Sequence, residues 1–163
     1  MLAIAVFAAA LWNMRAPIRP PVLSKKAKPL DWLRELGRIE PPPFDGAADA
    51  NIEEEAELQF QATMGFYRRG AYAMAIPGLE EALELDSRAV GARFYLGICL
   101  LTIGETEQGE QVLEDTIAWG DTPYRDPALR YGAKANMLLY RADRAHAMLL
   151  DVGESLPAML ISH

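Results

Sequence analysis

The run Gly70-Ala71-Tyr72-Ala73-Met74-Ala75-Ile76-Pro77-Gly78-Leu79-Glu80-Glu81-Ala82-Leu83-Glu84-Leu85-Asp86-Ser87 decides the fold of this chain. After the opening glycine, Tyr72, Ala75, Leu79 and Ala82 recur at intervals of three and four, the spacing that lines side chains along one helix face. The run closes on Asp86-Ser87, residues that favour a turn because their side chains compete with the backbone for hydrogen bonds. Working outward, the helical period begins near Glu53 and is broken by short turns at Arg69-Gly70, Asp86-Ser87 and Ile103-Gly104. Displacing the sequence by 34 residues sets Phe66 on Leu100, Gly70 on Gly104, Ala75 on Gly109, Leu79 on Leu113 and Leu85 on Trp119. Small residues fall on small and large on large. Antiparallel helices need a tight turn at the glycine, small side chains where they cross, and large ones where the next pair stacks. The pattern predicts an all-α chain of antiparallel helical hairpins stacked as a short solenoid.

These residues resemble the tetratricopeptide repeat (TPR) family. In a first repeat, Ala56 to Ala89, the segment Gly70-Ala71-Tyr72 with Ala75, Leu79, Ala82 and Leu85-Asp86-Ser87 looks like that family's second helix, with Ser87 where proline is usual. In a second, Val90 to about Ala118, Leu96-Gly97 and Leu100 look like the first helix and Gly104 like the turn. The departures are Gln59 and Arg93 in place of the early tryptophan, and Gly109 and Thr116 where alanines are typical. A third hairpin is expected over Asp126 to Val152, with Asp126 as cap, Pro127 as first helical residue and the turn at Ala142-Asp143. That turn comes 38 residues after Gly104, and the four extra residues are assigned to the Gly120-Asp121-Thr122-Pro123 loop. A TPR-like domain over 51–153 follows, with 154–163 as a cap or tail. Pro77, inside the second helix, is read as a kink, the alternative being a helix that starts near Ile76.

The 163 residues suit one core with appendages. At 51% hydrophobic and 24% charged, global disorder and a collagen-like chain are excluded. Residues 1–14 are an apolar segment, nearly unbroken from Met1 to Trp12 and followed by Arg15. Twelve helical residues reach about 18 Å, short of a hydrocarbon core of about 30 Å. Three readings stand: a signal-peptide core, the second half of a transmembrane helix continuing upstream of Met1, or an apolar helix packed on the body. The second is favoured, with Trp12 at the interface and Arg15 flanking it. Residues 15–50 hold seven of the eleven prolines and read as an extended linker unable to join a core. One island near 30–37 interrupts it: Leu30, Trp32, Leu33 and Leu36 make a short amphipathic helix ended by Gly37. It is expected to dock on a groove or a membrane surface, or to pack on the first helix of the body.

The net charge of −7 divides unevenly. Residues 1–30 carry five basic side chains and no acid, whereas residues 31–163 carry 11 basic and 23 acidic ones. An acidic body repels phosphate backbones, so nucleic acid is not an expected partner. Catalytic, cofactor and metal sites are not expected either, and the chain does not read as an enzyme. Cys99 lies among Ile98, Leu100 and Leu101 as a packing cysteine, His146 has no sequence partner, and Glu53-Glu54-Glu55 are helix-start charges facing a positive dipole end.

The TPR resemblance implies that the first helix of each hairpin lines a concave face. This would set Phe60, Met64 and Tyr67 beside Phe94, Ile98 and Leu101, with Arg68, Arg93, Arg130 and Lys134 on the rim to hold a carboxylate. Packing of several of these residues between helices is the alternative. In the groove reading, Phe94→Ala or Tyr67→Asp weakens capture without unfolding, whereas Gly97→Leu disrupts the hairpin crossing. The implied function is a membrane-tethered protein-protein interaction module for a peptide or protein partner. A second reading rests on the order of apolar span, proline-rich spacer and repeats, with the run Ala75-Ile76-Pro77-Gly78-Leu79. That order is similar to the extracytoplasmic ends of bacterial zinc-finger anti-sigma-factor-like membrane proteins, and implies a regulatory tail in the periplasm. The basic residues after the apolar run point instead to a cytoplasmic body.

Overall fold

The computed structural model describes residues 29–46, 52–157 and 160. The apolar segment 1–14 and the first part of the linker lie outside the described residues. Within them are seven helices and no strand: α1 (Pro29–Leu36), α2 (Glu54–Arg68), α3 (Tyr72–Leu85), α4 (Val90–Ile103), α5 (Thr106–Ala118), α6 (Arg125–Leu138) and α7 (Ala142–Leu150). No helix among them is long and apolar enough to cross a membrane. From α2 onward each helix packs on the next in chain order, the neighbour-to-neighbour arrangement of a solenoid, and α1 returns to lie on α6.

The turns inside the three hairpins share one geometry. Gly70, Gly104 and Tyr140 each have positive φ, at 75°, 95° and 58°. At each site the amide of the following residue (Ala71, Glu105, Arg141) reaches back to the carbonyl five residues earlier (Phe66, Leu100, Asn136) at 2.8–3.0 Å. This pairing satisfies carbonyls that a helix end leaves open, and it requires a left-handed residue, for which glycine carries no Cβ penalty. The turns are therefore 34 and 36 residues apart, not 34 and 38. Two residues are added, because the connection 119–124 is longer by two than the connection 86–89. The third turn is left-handed at a tyrosine, which residue type does not announce. In the same register Ala75, Gly109 and Ala145 are all buried, as are Leu79, Leu113 and Leu149.

Close helix approach explains the small residues. A Cβ at Gly97 would lie 2.8 Å from Leu113 Cγ, and one at Gly109 would lie 2.7 Å from Leu101 Cδ2 and 3.0 Å from the Gly97 carbonyl oxygen. A Cβ at Gly78 would run into Thr63 Oγ1. Pro77 sits inside α3, which starts at Tyr72 rather than near Ile76. Pro77 and Ala73 are both exposed, so water can take the place of the amide that proline lacks. Thr116, at a position where alanine was the expected type, is fully buried with its hydroxyl donating to the Val112 carbonyl at 2.9 Å.

Two expectations are corrected in the third hairpin. Its first helix begins at Arg125 after Tyr124, and no side chain caps it, so Asp126 is a first-turn residue and not the cap. Pro127 stands third in the helix, where its missing amide is one that has no intrahelical acceptor in any case. The linker island forms α1 as expected, but Leu33 and Leu36 pack with Ala133, Met137, Ala145, Leu149, Leu156 and Leu160, against the third hairpin rather than the first helix of the body. Gly37 allows this approach, since a Cβ there would lie 2.9 Å from the Lys134 carbonyl oxygen.

The larger core is centred on α4. That helix is apolar on nearly every side, and Phe94, Tyr95, Ile98 and Cys99 are buried to within 1%. Such a helix must be covered all round. Helices α3 and α5 flank it in the stack, and the remaining side is where the functional question lies.

Candidate functional site

Residues Ile39 to Phe44, the end of the proline-rich linker, run without regular secondary structure over the first helices of the three hairpins. Proline fixes φ and carries no amide hydrogen, so Pro41-Pro42-Pro43 can neither coil into a helix nor donate to a ladder. Such a stretch offers only carbonyl acceptors, and they must be met by side-chain donors or water. Three tyrosines supply the donors. The Tyr131 hydroxyl of α6 donates to the Glu40 carbonyl at 2.5 Å, the Tyr67 hydroxyl of α2 to that of Pro42 at 2.7 Å, and the Tyr95 hydroxyl of α4 to that of Pro43 at 3.4 Å.

Phe44 anchors the segment. Its ring is edge-on to Phe60 at 5.4 Å and to Tyr95 at 5.3 Å, and the Arg68 guanidinium lies over it at 4.8 Å. Pro42 and Phe44 are buried while Pro43 between them is exposed, an alternation that an extended chain produces on a surface. Tyr95 is the hub beneath, in ring contact with Phe44, Phe60, Tyr67, Phe94 and Tyr124. Offset and edge-on pairs of this kind contribute beyond their buried area. The expectation that the proline-rich stretch stays out of the core is corrected for residues 39–44, which run without regular secondary structure and put Phe44 into the core.

Burial keeps the donors protonated. Burial pushes the Tyr67 phenol well above its ordinary range, with the neighbouring Tyr95 and Tyr131 adding to the effect, and burial also raises Tyr131, with a smaller contribution from Glu40. Both hydroxyls therefore stay protonated, as donation to a carbonyl requires. Lys134 is held below its usual value by burial, which the nearby Glu40 partly offsets, and its ammonium lies 5.3 Å from the centre of the Tyr131 ring. Nothing here resembles an activated nucleophile: burial pushes the Cys99 thiol up to about 12.

No protein-family model, curated protein or solved structure matches the chain. The site must accordingly be judged on its own geometry.

That geometry places the expected groove residues as follows. Phe60, Met64, Tyr67, Phe94, Ile98 and Leu101 are all buried, none more than 4% exposed. Phe60 and Tyr67 touch the 39–44 segment directly, while Phe94 packs behind it on Tyr95, Tyr124 and Tyr131. Met64, Ile98 and Leu101 belong to the same core. Replacing Phe94 with alanine or Tyr67 with aspartate would thus disturb packing, which corrects the expectation of an unaffected fold. Of the rim charges, Arg68 and Lys134 border the segment. Arg130 instead pairs with Glu154 at 2.8 Å, and Arg93 donates to the Ser87 carbonyl at 2.5 Å with its guanidinium 5.2 Å from the Trp119 ring.

Tyr95, Tyr131 and Phe44 carry the site without having been singled out from the sequence. Tyr95 and Tyr131 are 36 residues apart, the true offset between the second and third hairpins, so the corrected repeat puts both hydroxyls at one repeat position. The other signal is an aromatic residue directly after three prolines.

The remaining polar clusters have structural roles. Asp86 accepts from the amides of Glu53 and Arg88 and from the Arg88 guanidinium, joining the start of α2 to the connection between α3 and α4. The hydrogen bonds from Arg88 hold its carboxyl well below the usual carboxylate range. Glu110, buried on α5, accepts from Asn136 on α6 and pairs with Arg141 and Arg144, tying the second hairpin to the third. His146 accepts the Leu156 amide at Nδ1, which fixes the tail on α7. Among the described residues no group of three His, Cys, Asp or Glu side chains is placed to hold a metal.

Proposed function

We propose that this chain is a TPR-like interaction module whose groove, formed by the first helices of its hairpins, binds an extended peptide segment of a partner protein. The observation that supports this reading is the linker segment itself. An extended peptide lies across α2, α4 and α6, held by side-chain donors to its main-chain carbonyls and by one aromatic anchor. Main-chain bonds of this kind give affinity, and pockets for side chains give selectivity. The three equivalent turns, with buried small and large residues in matching positions, support the TPR likeness. The apolar run Met1 to Trp12 supports a membrane tether, and a bacterial regulatory tail on the outer side of that membrane is the reading carried by segment order alone.

The test is a random-peptide selection on the purified full chain, followed by amide chemical-shift mapping of the selected peptides. Shifts confined to Arg68, Tyr95, Tyr131, Lys134 and their neighbours are expected. Selected peptides that perturb only the α3 and α5 surfaces would refute the groove, and a selection that yields no binder on either the full chain or its folded Phe44→Ala variant would refute the module.

A further inference from the structure

The bound segment specifies the chemistry of whatever else fits the site. Its recognition uses three hydroxyl donors, from Tyr67, Tyr95 and Tyr131, and they meet carbonyls of Pro42, Pro43 and Glu40. An ordinary extended peptide places an amide hydrogen at every residue. Those pointing at an aromatic, donor-lined surface would be buried without an acceptor, which costs about 1–3 kcal/mol each. Consecutive prolines avoid that cost, because they have no amide hydrogen to leave unpaired, and their fixed φ lowers the entropy lost on binding. The seat built by Phe60, Tyr95 and Arg68 then asks for an aromatic ring immediately after the prolines.

Resting on the reading of the groove as a peptide site, we propose that its partner is a protein segment of the same chemistry, consecutive prolines followed by an aromatic residue, and that residues 39–44 are a built-in competitor that the partner displaces. The competitor joins the repeat domain through the short connection between Gly46 and α2, so its effective concentration at the groove is of millimolar order or above. A free segment of equal intrinsic affinity therefore binds the intact chain weakly. Its apparent affinity rises when the built-in segment is weakened, because the competent state is then more populated. Phe44 is the position at which to weaken it, since its ring makes the aromatic contacts while the groove donors lie on other residues.

The experiment uses the full chain with fluorine-labelled phenylalanine, followed by fluorine resonance, the Phe44 signal being assigned from a Phe44→Leu variant. Three synthetic peptides are titrated: a copy of residues 38–46, the same peptide with the three prolines replaced by alanine, and the same peptide with its phenylalanine replaced by alanine. The expected result is that millimolar copy peptide moves the Phe44 signal toward that of an exposed ring while the two altered peptides do not. The Phe44→Ala chain is expected to bind the copy at least tenfold more tightly than the unaltered chain. A Phe44→Ala chain that keeps its helicity but does not bind the copy would overturn the proposal, making residues 39–44 a permanent part of the core. Should Phe44→Ala fail to fold, the unaltered chain decides, and a Phe44 signal unmoved at saturating copy peptide overturns the proposal. Dimers that form as the chain is concentrated and dissociate on adding copy peptide would also overturn it, by assigning the groove to a second copy of this chain. If selected peptides of another chemistry shift Arg68 and Lys134 while the copy does not, the peptide site stands and only this partner chemistry falls.

Discussion

The crossing of α4 and α5 offers a perturbation whose sign depends on packing alone. Gly97 and Gly109 both lie inside helices, where exchanging glycine for alanine gains about 1 kcal/mol of helix propensity. Against that gain, the added methyl at Gly97 meets Leu113 at 2.8 and 2.9 Å, and Leu113 is wholly buried and cannot swing into solvent. Overpacking a filled core costs about 1–3 kcal/mol, so Gly97→Ala is expected to lose about 1 kcal/mol net. Gly109→Ala is expected to lose about 2 kcal/mol, because its methyl also lies 3.0 Å from the Gly97 carbonyl oxygen, which a side-chain adjustment cannot move. Shortening the obstacle reverses the first sign. In a Leu113→Ala background, itself costing about 2–5 kcal/mol, Gly97→Ala should become stabilising by up to about 1 kcal/mol. The cycle thus predicts a coupling of about 2 kcal/mol between two residues on facing helices. The assay is urea unfolding followed by far-UV circular dichroism for the four proteins, with a mild non-ionic detergent present for the apolar run. A Gly97→Ala chain more stable than the unaltered one, or additive effects in the cycle, would refute the reasoning that these glycines are present for close approach.

Four further outcomes are expected. Phe94→Ala should lower unfolding free energy by about 3–5 kcal/mol, whereas Leu58→Ala, on the exposed face of α2, should change it by less than about 0.5 kcal/mol; equal effects in urea melts would contradict the burial pattern. Tyr140→Gly should stabilise by about 0.5–1 kcal/mol by relieving the left-handed backbone, unless its loss of the Arg34 hydrogen bond matters more, and a lowered urea midpoint would show that it does. Tyr67 and Tyr131 have folded pKa values above the unfolded value of 10.0, so the stability linked to their protons is complete below about pH 10 and is lost as pH rises beyond it. Tyr67→Phe should therefore cost about 1 kcal/mol at neutral pH yet flatten the fall of the urea midpoint above pH 10. Asp86 has the opposite linkage: its folded pKa is depressed, so its contribution is present above its unfolded value of 3.8 and lost as pH falls below it, and Asp86→Asn should make the midpoint less steep in acid.

The helical hairpins were legible because they rest on short-range regularities. Tyr72, Ala75, Leu79 and Ala82 specify a face within one helix, and Gly70 and Gly104 announce their turns by residue type. The third turn was placed two residues late because its left-handed residue is Tyr140, a type that carries no such signal. The second helix could be followed through Pro77 because both Pro77 and Ala73 face solvent, yet only the coordinates tell that from a helix starting later.

The candidate site was legible in composition and not in arrangement. Phe60, Tyr67 and Phe94 gather in one core and Arg68 lies over the Phe44 ring, but the chain's own residues 39–44 lie across them.

What the sequence alone determined is therefore local: helix periods, turn types, small residues at crossings and an extended proline stretch, each written within a few neighbouring residues. What only the tertiary structure decided is where that stretch lies, because its carbonyls find their donors 25, 52 and 91 residues away. Proline's lack of an amide predicts that it cannot join a helix or ladder, and it predicts equally well a solvated spacer or a ligand for tyrosine hydroxyls. The choice between them rests on the apolar side of α4 that α3 and α5 leave to be covered, a property of the stacked hairpins that no single segment possesses.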